Sequence, residues 1–183
     1  MQVDICPKSI LHFWFEELTA KQHFVKVAAL DETIRARFGD TLEAAARCEL
    51  FAWRASDEGR LAEILVLDQF SRNVYRDTPR AFAQDALALM LAQELASSGQ
   101  DRSLPPAQRV FAYMPYMHSE SALVHTQAVA LFTQLGIQDN LNFELRHKAI
   151  IDRFGRFPHR NSILGRSSSA EELAFLSEPR SSF

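Results

Sequence analysis

The chain has 183 residues, of which 47% are hydrophobic and 23% charged, and its formal net charge is −3 at pH 7. This composition is ordinary for a folded globular protein, and it excludes a low-complexity chain or one held to nucleic acid by bulk positive charge. No apolar run reaches the roughly 18 residues that a membrane span needs. We therefore expect one globular domain over residues 1–183 and no membrane partner.

The cysteines and the amino terminus indicate a cellular compartment. Cys6 and Cys48 lie far apart and lack the spacing of a metal site, so we interpret them as reduced thiols. Residues 1–7 contain Asp4 and lack the basic and apolar regions of a secretory signal peptide. The prediction is a cytoplasmic protein.

Helical spacing dominates the chain from its first apolar residues onwards. Gly39 is expected to end the second helix, and Asp40 with Glu43 to cap the third. Thr78 and Pro79 are expected to open the fifth helix. The pattern predicts an all-α fold, either a bundle or stacked helix pairs. The predicted helices number about nine and cover residues 9–18, 24–38, 40–53, 58–75, 79–98, 105–115, 120–135, 141–154 and 170–176.

The predicted helix over residues 58–75 has apolar residues on nearly every face, so we expect it at the centre of the fold. Within it, the stretch "LVLDQFSRNVYR", residues 65–76, introduces polar residues. Asp68 lies on the inward stripe, and Arg72 follows four residues later, in the order that favours a helical ion pair. Gln69 and Asn73 have the same spacing and are expected to form a second pair. Two interpretations remain open: an ion pair within the helix, or a pocket wall from which Arg72 or Asn73 contacts a ligand.

The stretch "YMPYMHSE", residues 113–120, follows a helix that Pro115 is expected to break. Ser119 is expected to cap the next helix, with Glu120 in its first turn. His118 precedes this helix start, and a histidine beside a carboxylate can act as a general base or a metal ligand. The alternative is a structural histidine with satisfied hydrogen bonds.

Positive charge is concentrated between Glu144 and Arg166. This range has six basic and two acidic residues, so the rest of the chain carries a net charge of −7. Arginine supplies five of the six, and arginine suits bidentate recognition of carboxylate or phosphate. Gly155 and Pro158 are expected to make residues 155–168 a rigid loop. Its arginines either pair with acids of the protein itself, such as Asp68, or form a pocket for an anion.

Two further site classes find little support in the sequence. Phe154 and Phe157 alternate with arginines, as in single-strand binders, but one basic loop on an acidic chain makes nucleic acid an unlikely partner. No paired-cysteine or His-Glu-x-x-His motif is present, so we expect neither a metal nor another cofactor.

Long motifs carry a family resemblance. They include "ILHFWF" at 10–15, "LVLDQFSRNVYR" at 65–76, "FAYMPYMHSE" at 111–120 and "RHKAIIDRFGRFPHRNSILGR" at 146–166. Through them the sequence resembles, nearly end to end, the bacterial family catalogued as domain of unknown function number 924. The resemblance implies a tetratricopeptide-like α–α superhelix and no established activity.

The sequence leaves the function open among three classes, and with it whether the protein is an enzyme. The first, which the sequence favours, is binding of a small anionic ligand, a phosphate or a carboxylate, in a polar pocket rich in arginine and histidine. The second is a non-catalytic scaffold for a protein or peptide partner, in which the arginine and histidine motifs are a structural clasp. The third is a hydrolase that uses His118, Glu120 and His159. The residues expected at a ligand site are Asp68, Arg72, Asn73, His118, Glu120, Arg153, Arg156, His159, Arg160 and Asn161.

Overall fold

The computed structural model describes residues 6–179 and 181, and within these residues the chain is helical and has no strand. The predicted all-α class is therefore confirmed. When α-helical and π-helical turns that continue without a break are counted together, the described residues form eight helices, close to the number expected. They are α1 (Pro7–His12, continued by π turns over Phe13–Glu17), α2 (Ala28–Ala46), α3 (Asp57–Leu65, π turns over Val66–Phe70, then Ser71–Val74), α4 (Asp85–Ser97), α5 (Pro106–Met117), α6 (Ala122–Leu135), α7 (Gln138–Phe154) and α8 (Ala170–Leu176).

Helix α2 joins two helices that the sequence predicts as separate. It continues through Gly39, so the expected stop at Gly39 and the capping box after it are wrong. Ile34, Phe38 and Leu42 lie four residues apart and are each at most 2% exposed. Continuous burial of this stripe outweighs the weak preference of one glycine against the helix.

Three other helix ends differ from expectation. Pro79 opens a 3₁₀ turn over Pro79–Phe82, and α4 begins only at Asp85. Helix α5 continues past Pro115 to Met117. The amino-terminal cap of α6 is Ser121 and not Ser119 as predicted, so Glu120 precedes the helix and does not lie in its first turn. Glu120 is thus available to another partner.

The chain divides into two compact units. The first comprises the described residues up to Arg76 together with Arg80–Pro115, and α3 is its centre. Every residue from Leu61 to Ser71 is buried, which confirms the central helix expected from its apolar sequence. Helices α1, α2 and α4 pack against it.

The second unit comprises Asp77–Pro79 and the residues from Tyr116 onwards. Its centre is the pair α6 and α7, joined by a two-residue turn. Gly136 ends α6 at φ 77°, and Gly155 ends α7 at φ 68°, in the left-handed conformation that favours glycine. Beyond Gly155 the chain forms a 3₁₀ turn over Pro158–Arg160 and then reaches α8.

None of the described helices combines the length and the apolar character that crossing a bilayer would require.

Candidate functional site

The loop from Gly155 to Ser169, here called the arginine loop, lies in the second unit between α7 and α8. Gly155 turns the chain sharply away from α7, and Phe157 then inserts its ring into the interior, where it is 1% exposed. Ile150 and Ile151 of α7 pack against that ring. The side chains that flank Phe157 are therefore held at fixed positions.

Arg156 lies at the start of the arginine loop and binds the first turn of α8. Its Nε and Nη2 donate to the two carboxylate oxygens of Glu172 at 2.6 and 2.8 Å, and Nη2 also donates to the Ser167 carbonyl at 3.0 Å. Glu172 also accepts from the Ser169 backbone N–H, while Ser169 Oγ accepts from the Glu172 N–H, which completes a capping box. The Arg156 guanidinium and the Ser169 N–H lower the pKa of Glu172 to about 2.

Glu120 is the second carboxylate that holds the arginine loop. Its two oxygens accept from Arg166 at 2.6 and 2.9 Å, and one of them also accepts from the Phe157 backbone N–H at 2.8 Å. Burial alone would raise the pKa of Glu120, but the Arg166 and Phe157 donors outweigh it and hold the pKa below its usual value. Arg166 Nε donates to Asn161, whose amide in turn donates to Ser168.

The remaining loop arginines have different environments. Arg160 is 6% exposed, lies with its guanidinium carbon 4.7 Å from the centre of the Phe157 ring, and donates to the His118 carbonyl at 3.0 Å. Arg153 is nearly half exposed and donates to Glu171 at 2.9 Å. The exposed ion pair of Arg153 with Glu171 contributes little to stability, because water screens it. The buried guanidinium of Arg160 is instead held by its contacts with the Phe157 ring and the His118 carbonyl.

Three histidine rings surround Phe157, at centroid distances of 6.2 Å for His125, 5.7 Å for His147 and 5.6 Å for His159. His125 is fully buried between Glu144, at 2.7 Å, and the Ser119 carbonyl, at 2.9 Å. The second oxygen of Glu144 has no hydrogen-bond partner among the described residues. Burial is the main cause that raises the pKa of Glu144.

His147 is held in its neutral form. Its Nδ1 donates to the Phe143 carbonyl at 2.8 Å, which fixes the tautomer. Burial, together with the neighbouring histidines, lowers its pKa to about 3. His147 is therefore a neutral packing element of this core at neutral pH, and both His125 and His147 are buried.

The polar stretch of α3 lies in the first unit. Arg72 pairs with Asp68 at 3.1 Å, as its spacing predicts, and its two terminal nitrogens also bind Asp85 at 2.9 and 3.0 Å. Gln69 and Asn73 do not pair with each other. Gln69 donates to Asp68 at 2.6 Å, and Asn73 donates to Asp31 at 2.8 Å. Each of these amides donates to a carboxylate, and hydrogen bonds to an ionised acceptor are stronger than those between two neutral amides.

The ten residues expected at a ligand site thus fall into two groups. Asp68, Arg72 and Asn73 belong to the first unit and the other seven to the second. Within each group the side-chain contacts are mainly ion pairs and hydrogen bonds to the protein's own residues. A shallow surface pocket of about 500 Å³ lies in the first unit, and none of the ten lines it. In the described part of the chain no group of three or more His, Cys, Asp or Glu side chains is arranged to hold a metal ion.

Several partners in these networks escaped the sequence analysis. Glu144 and His125 carried a usable signal, because each interrupts an apolar helical stripe, His125 three residues before Ala128 and seven before Phe132. Ser169 and Glu172 have the spacing of a capping box, which predicts only a local role for Glu172. Its pairing with Arg156 joins residues 16 apart through a loop, and helical spacing cannot predict such a contact.

Comparison with known proteins identifies the chain. The family described as bacterial protein of unknown function (DUF924) matches residues 10–180, and the chain belongs to that family. A solved structure of a protein of unknown function from Agrobacterium tumefaciens is similar over 94% of this chain and 97% of that one, with 39% identity and a TM-score of 0.89. Among functionally curated proteins, none matches.

Proposed function

We propose that this member of the family is a non-catalytic helical scaffold, in which the arginine motifs form an internal clasp. The observation that carries the proposal is the pairing of Arg156 with Glu172 and of Arg166 with Glu120, each through two hydrogen bonds. A guanidinium that donates two hydrogen bonds to one carboxylate already has the bidentate partner that it prefers. These arginines act on the protein's own segments.

The clasp joins segments that are distant in sequence. Glu120 precedes α6 and holds the Phe157 N–H and Arg166 of the arginine loop. Glu172, in the first turn of α8, holds Arg156 at the start of that loop. The loop would gain conformational entropy on release, so several charge-assisted bonds are needed to keep it ordered.

A ligand site made of the ten predicted residues remains the competing hypothesis. A phosphate or carboxylate at Arg156 or Arg166 would have to displace Glu172 or Glu120 from a bidentate pair. The hydrolase hypothesis meets a similar difficulty at Glu120, because a carboxylate whose pKa is lowered by two cationic or N–H donors is a weak proton acceptor. The tetratricopeptide-like superhelix remains a prediction from the resemblance.

Thermal unfolding in the presence of anions tests the proposal. We expect inorganic phosphate and acetate, titrated at constant ionic strength, to leave the Tm of the wild type unchanged. A saturable rise in Tm follows when a ligand binds only the folded state. Such a rise, lost in Arg156→Ala and Arg160→Ala proteins that still unfold cooperatively, would establish an anion site and refute the clasp.

A further inference from the structure

Residues Lys21–Val27, here called the basic apolar segment, lie between α1 and α2 in the first unit and expose large apolar side chains. Phe24 is 67% exposed, and Val25 and Val27 are each 40% exposed. These three exposed apolar side chains lie within four residues, whereas the exposed apolar residues that are common on proteins occur singly. Such a concentration of exposed apolar side chains is typical of an interaction surface.

Phe24 is held in place. Its ring stacks on Phe111 at a centroid distance of 6.3 Å and an interplanar angle of 15°, and it meets the edge of His23 at 6.1 Å. His23 in turn stacks on Trp14 at 4.7 Å, and its Nε2 is hydrogen bonded to the Trp14 carbonyl at 2.7 Å. The exposed aromatic side chain is therefore presented by a packed base, which lowers the entropy lost when a partner covers it.

The charge of the segment is opposite to that of the chain as a whole. Lys21 and Lys26 are exposed, and neither forms an ion pair with a described residue. The flanking acids are already neutralised, Glu17 by Arg37 at 2.6 Å and Asp31 by Arg76 at 2.6 Å. Two unneutralised positive charges thus border the apolar surface of a protein whose net charge is −3.

Part of the segment has extended backbone. Val25 and Val27 both have extended dihedral angles, at φ −106° and −130°, between the 3₁₀ turn Gln22–Phe24 and the start of α2. Lys26 lies between them in the sequence, so two apolar side chains and a positive charge occur within three residues.

We propose that the basic apolar segment is the docking surface of the scaffold for a partner-protein segment that combines acidic with apolar residues. The proposal rests on the proposed scaffold function and specifies its partner chemistry. Carboxylates on the partner would meet Lys21 and Lys26 while an apolar side chain covers Phe24, so that charge sets specificity and buried area supplies affinity.

Other occupants fit less well. Attachment to an anionic membrane surface takes clusters of about four to eight basic residues, whereas this segment has two on a chain of net negative charge. A second copy docked symmetrically would bring four lysines into one interface, and the segment has no acidic residue to pair with them. An acidic protein segment has neither difficulty.

Selection from a displayed library of random peptides, with the full-length chain as bait, tests the proposal. We expect the enriched peptides to carry Asp or Glu next to Leu, Ile or Phe, and to bind more weakly as the salt concentration rises. The Kd of a synthesised enriched peptide should increase at least tenfold for Lys21→Glu/Lys26→Glu and for Phe24→Ser.

Matched variants separate this surface from general effects of charge and apolarity. Phe51→Ser removes a phenylalanine of the same unit that is 69% exposed, and Lys8→Glu reverses an exposed lysine of α1. Both should leave the peptide Kd within about twofold of the wild type. The Lys21→Glu/Lys26→Glu protein keeps every apolar contact, so its effect does not depend on how well Phe24→Ser folds.

Three outcomes would overturn the proposal. The first is that no peptides are enriched. The second is that the Kd of the enriched peptides does not change when Phe24 or the two lysines are substituted. The third is that the chain floats with phosphatidylserine vesicles in a manner that depends on those residues. Peptides bound elsewhere on the chain would overturn this docking surface alone. A saturable phosphate effect that requires Arg156 would instead overturn the scaffold function.

Discussion

Individual charged side chains determine how the arginine loop is held. Glu120 and Arg166 are each about one quarter exposed, so water weakens their attraction less than it weakens that of the exposed pair of Arg153 with Glu171. Glu120 also binds the Phe157 N–H, and its removal would release the loop backbone together with the guanidinium. The two kinds of pair should therefore respond differently to substitution.

The first prediction concerns Arg166. Arg166→Ala leaves the half-buried Glu120 carboxylate without its guanidinium partner, and we expect it to lower the free energy of unfolding by about 2–4 kcal/mol. Arg153→Ala is the control, expected to change it by less than about 1 kcal/mol. Urea unfolding followed by circular dichroism measures both. Equal effects of the two substitutions would show that the Glu120 network does not hold the loop.

The second prediction concerns His147, whose pKa is lowered to about 3. His147 binds a proton more readily in the unfolded chain than in the folded one. It therefore stabilises the folded state above pH 6.5, and this contribution is lost as the pH falls towards 3. In His147→Asn the amide can still donate to the Phe143 carbonyl but cannot titrate. Between pH 6 and 4 the dependence of unfolding free energy on pH should become shallower by up to about 1.4 kcal/mol per pH unit. An unchanged slope would exclude His147 as its source.

At the level of helices, two glycines have opposite roles. Gly39 lies inside α2, outside the left-handed region, and a Cβ there would meet nothing within 4 Å. Gly59 lies in the first turn of α3, where a Cβ would come within 1.9 Å of the Trp53 carbonyl oxygen. Gly59 thus permits the 3₁₀ turn Phe51–Ala55 to pack against α3, while Gly39 only weakens α2.

The third prediction follows from this contrast. Gly39→Ala should raise the free energy of unfolding by about 0.5–1 kcal/mol, because alanine restricts the unfolded chain and favours the helix. Gly59→Ala should lower it by several times that amount, about 2 kcal/mol or more, since backbone must move. Thermal unfolding of the two proteins distinguishes them by the sign of the change in Tm. A destabilised Gly39→Ala protein would mean that α2 is interrupted at Gly39.

For the whole molecule, the titrating groups act mainly in one direction. Burial lowers the pKa of His23, as it does for His147, and hydrogen-bonded arginines lower the pKa of Glu120 and of Glu172. All four groups bind protons less tightly in the folded state, so each stabilises it above its unfolded pKa and loses this effect as the pH falls. Glu144 acts in the opposite direction, because its pKa is raised: its contribution is present below its unfolded pKa and is lost as the pH rises through the folded value.

The fourth prediction is the resulting profile of stability against pH. The free energy of unfolding should be highest near neutral pH, begin to fall below about pH 6.5 as the histidines charge, and fall further below about pH 4.5 as the carboxylates are protonated. Urea midpoints measured from pH 7 to pH 3 report it. A profile that stays flat down to pH 4.5 would contradict the burial of neutral histidines.

The sequence by itself determined the helical class, the central position of α3, the ends of helices at Gly136 and Gly155, and the Asp68–Arg72 pair. These features depend on neighbours within about one or two helical turns, and such neighbours recur at fixed spacing. The concentration of arginine between residues 144 and 166 was equally visible.

Only the tertiary structure decided what those arginines bind. Glu120 lies 46 residues from Arg166, and Glu172 lies 16 residues from Arg156 beyond a loop, so the pairs form only when the packing of α6, α7 and α8 brings them together. Tertiary burial is also the reason why α2 continues past Gly39. It likewise brings His125 and Glu144 together in the interior. Local preferences of about 1 kcal/mol yield to the burial of a whole helical face, which no single segment of sequence reveals.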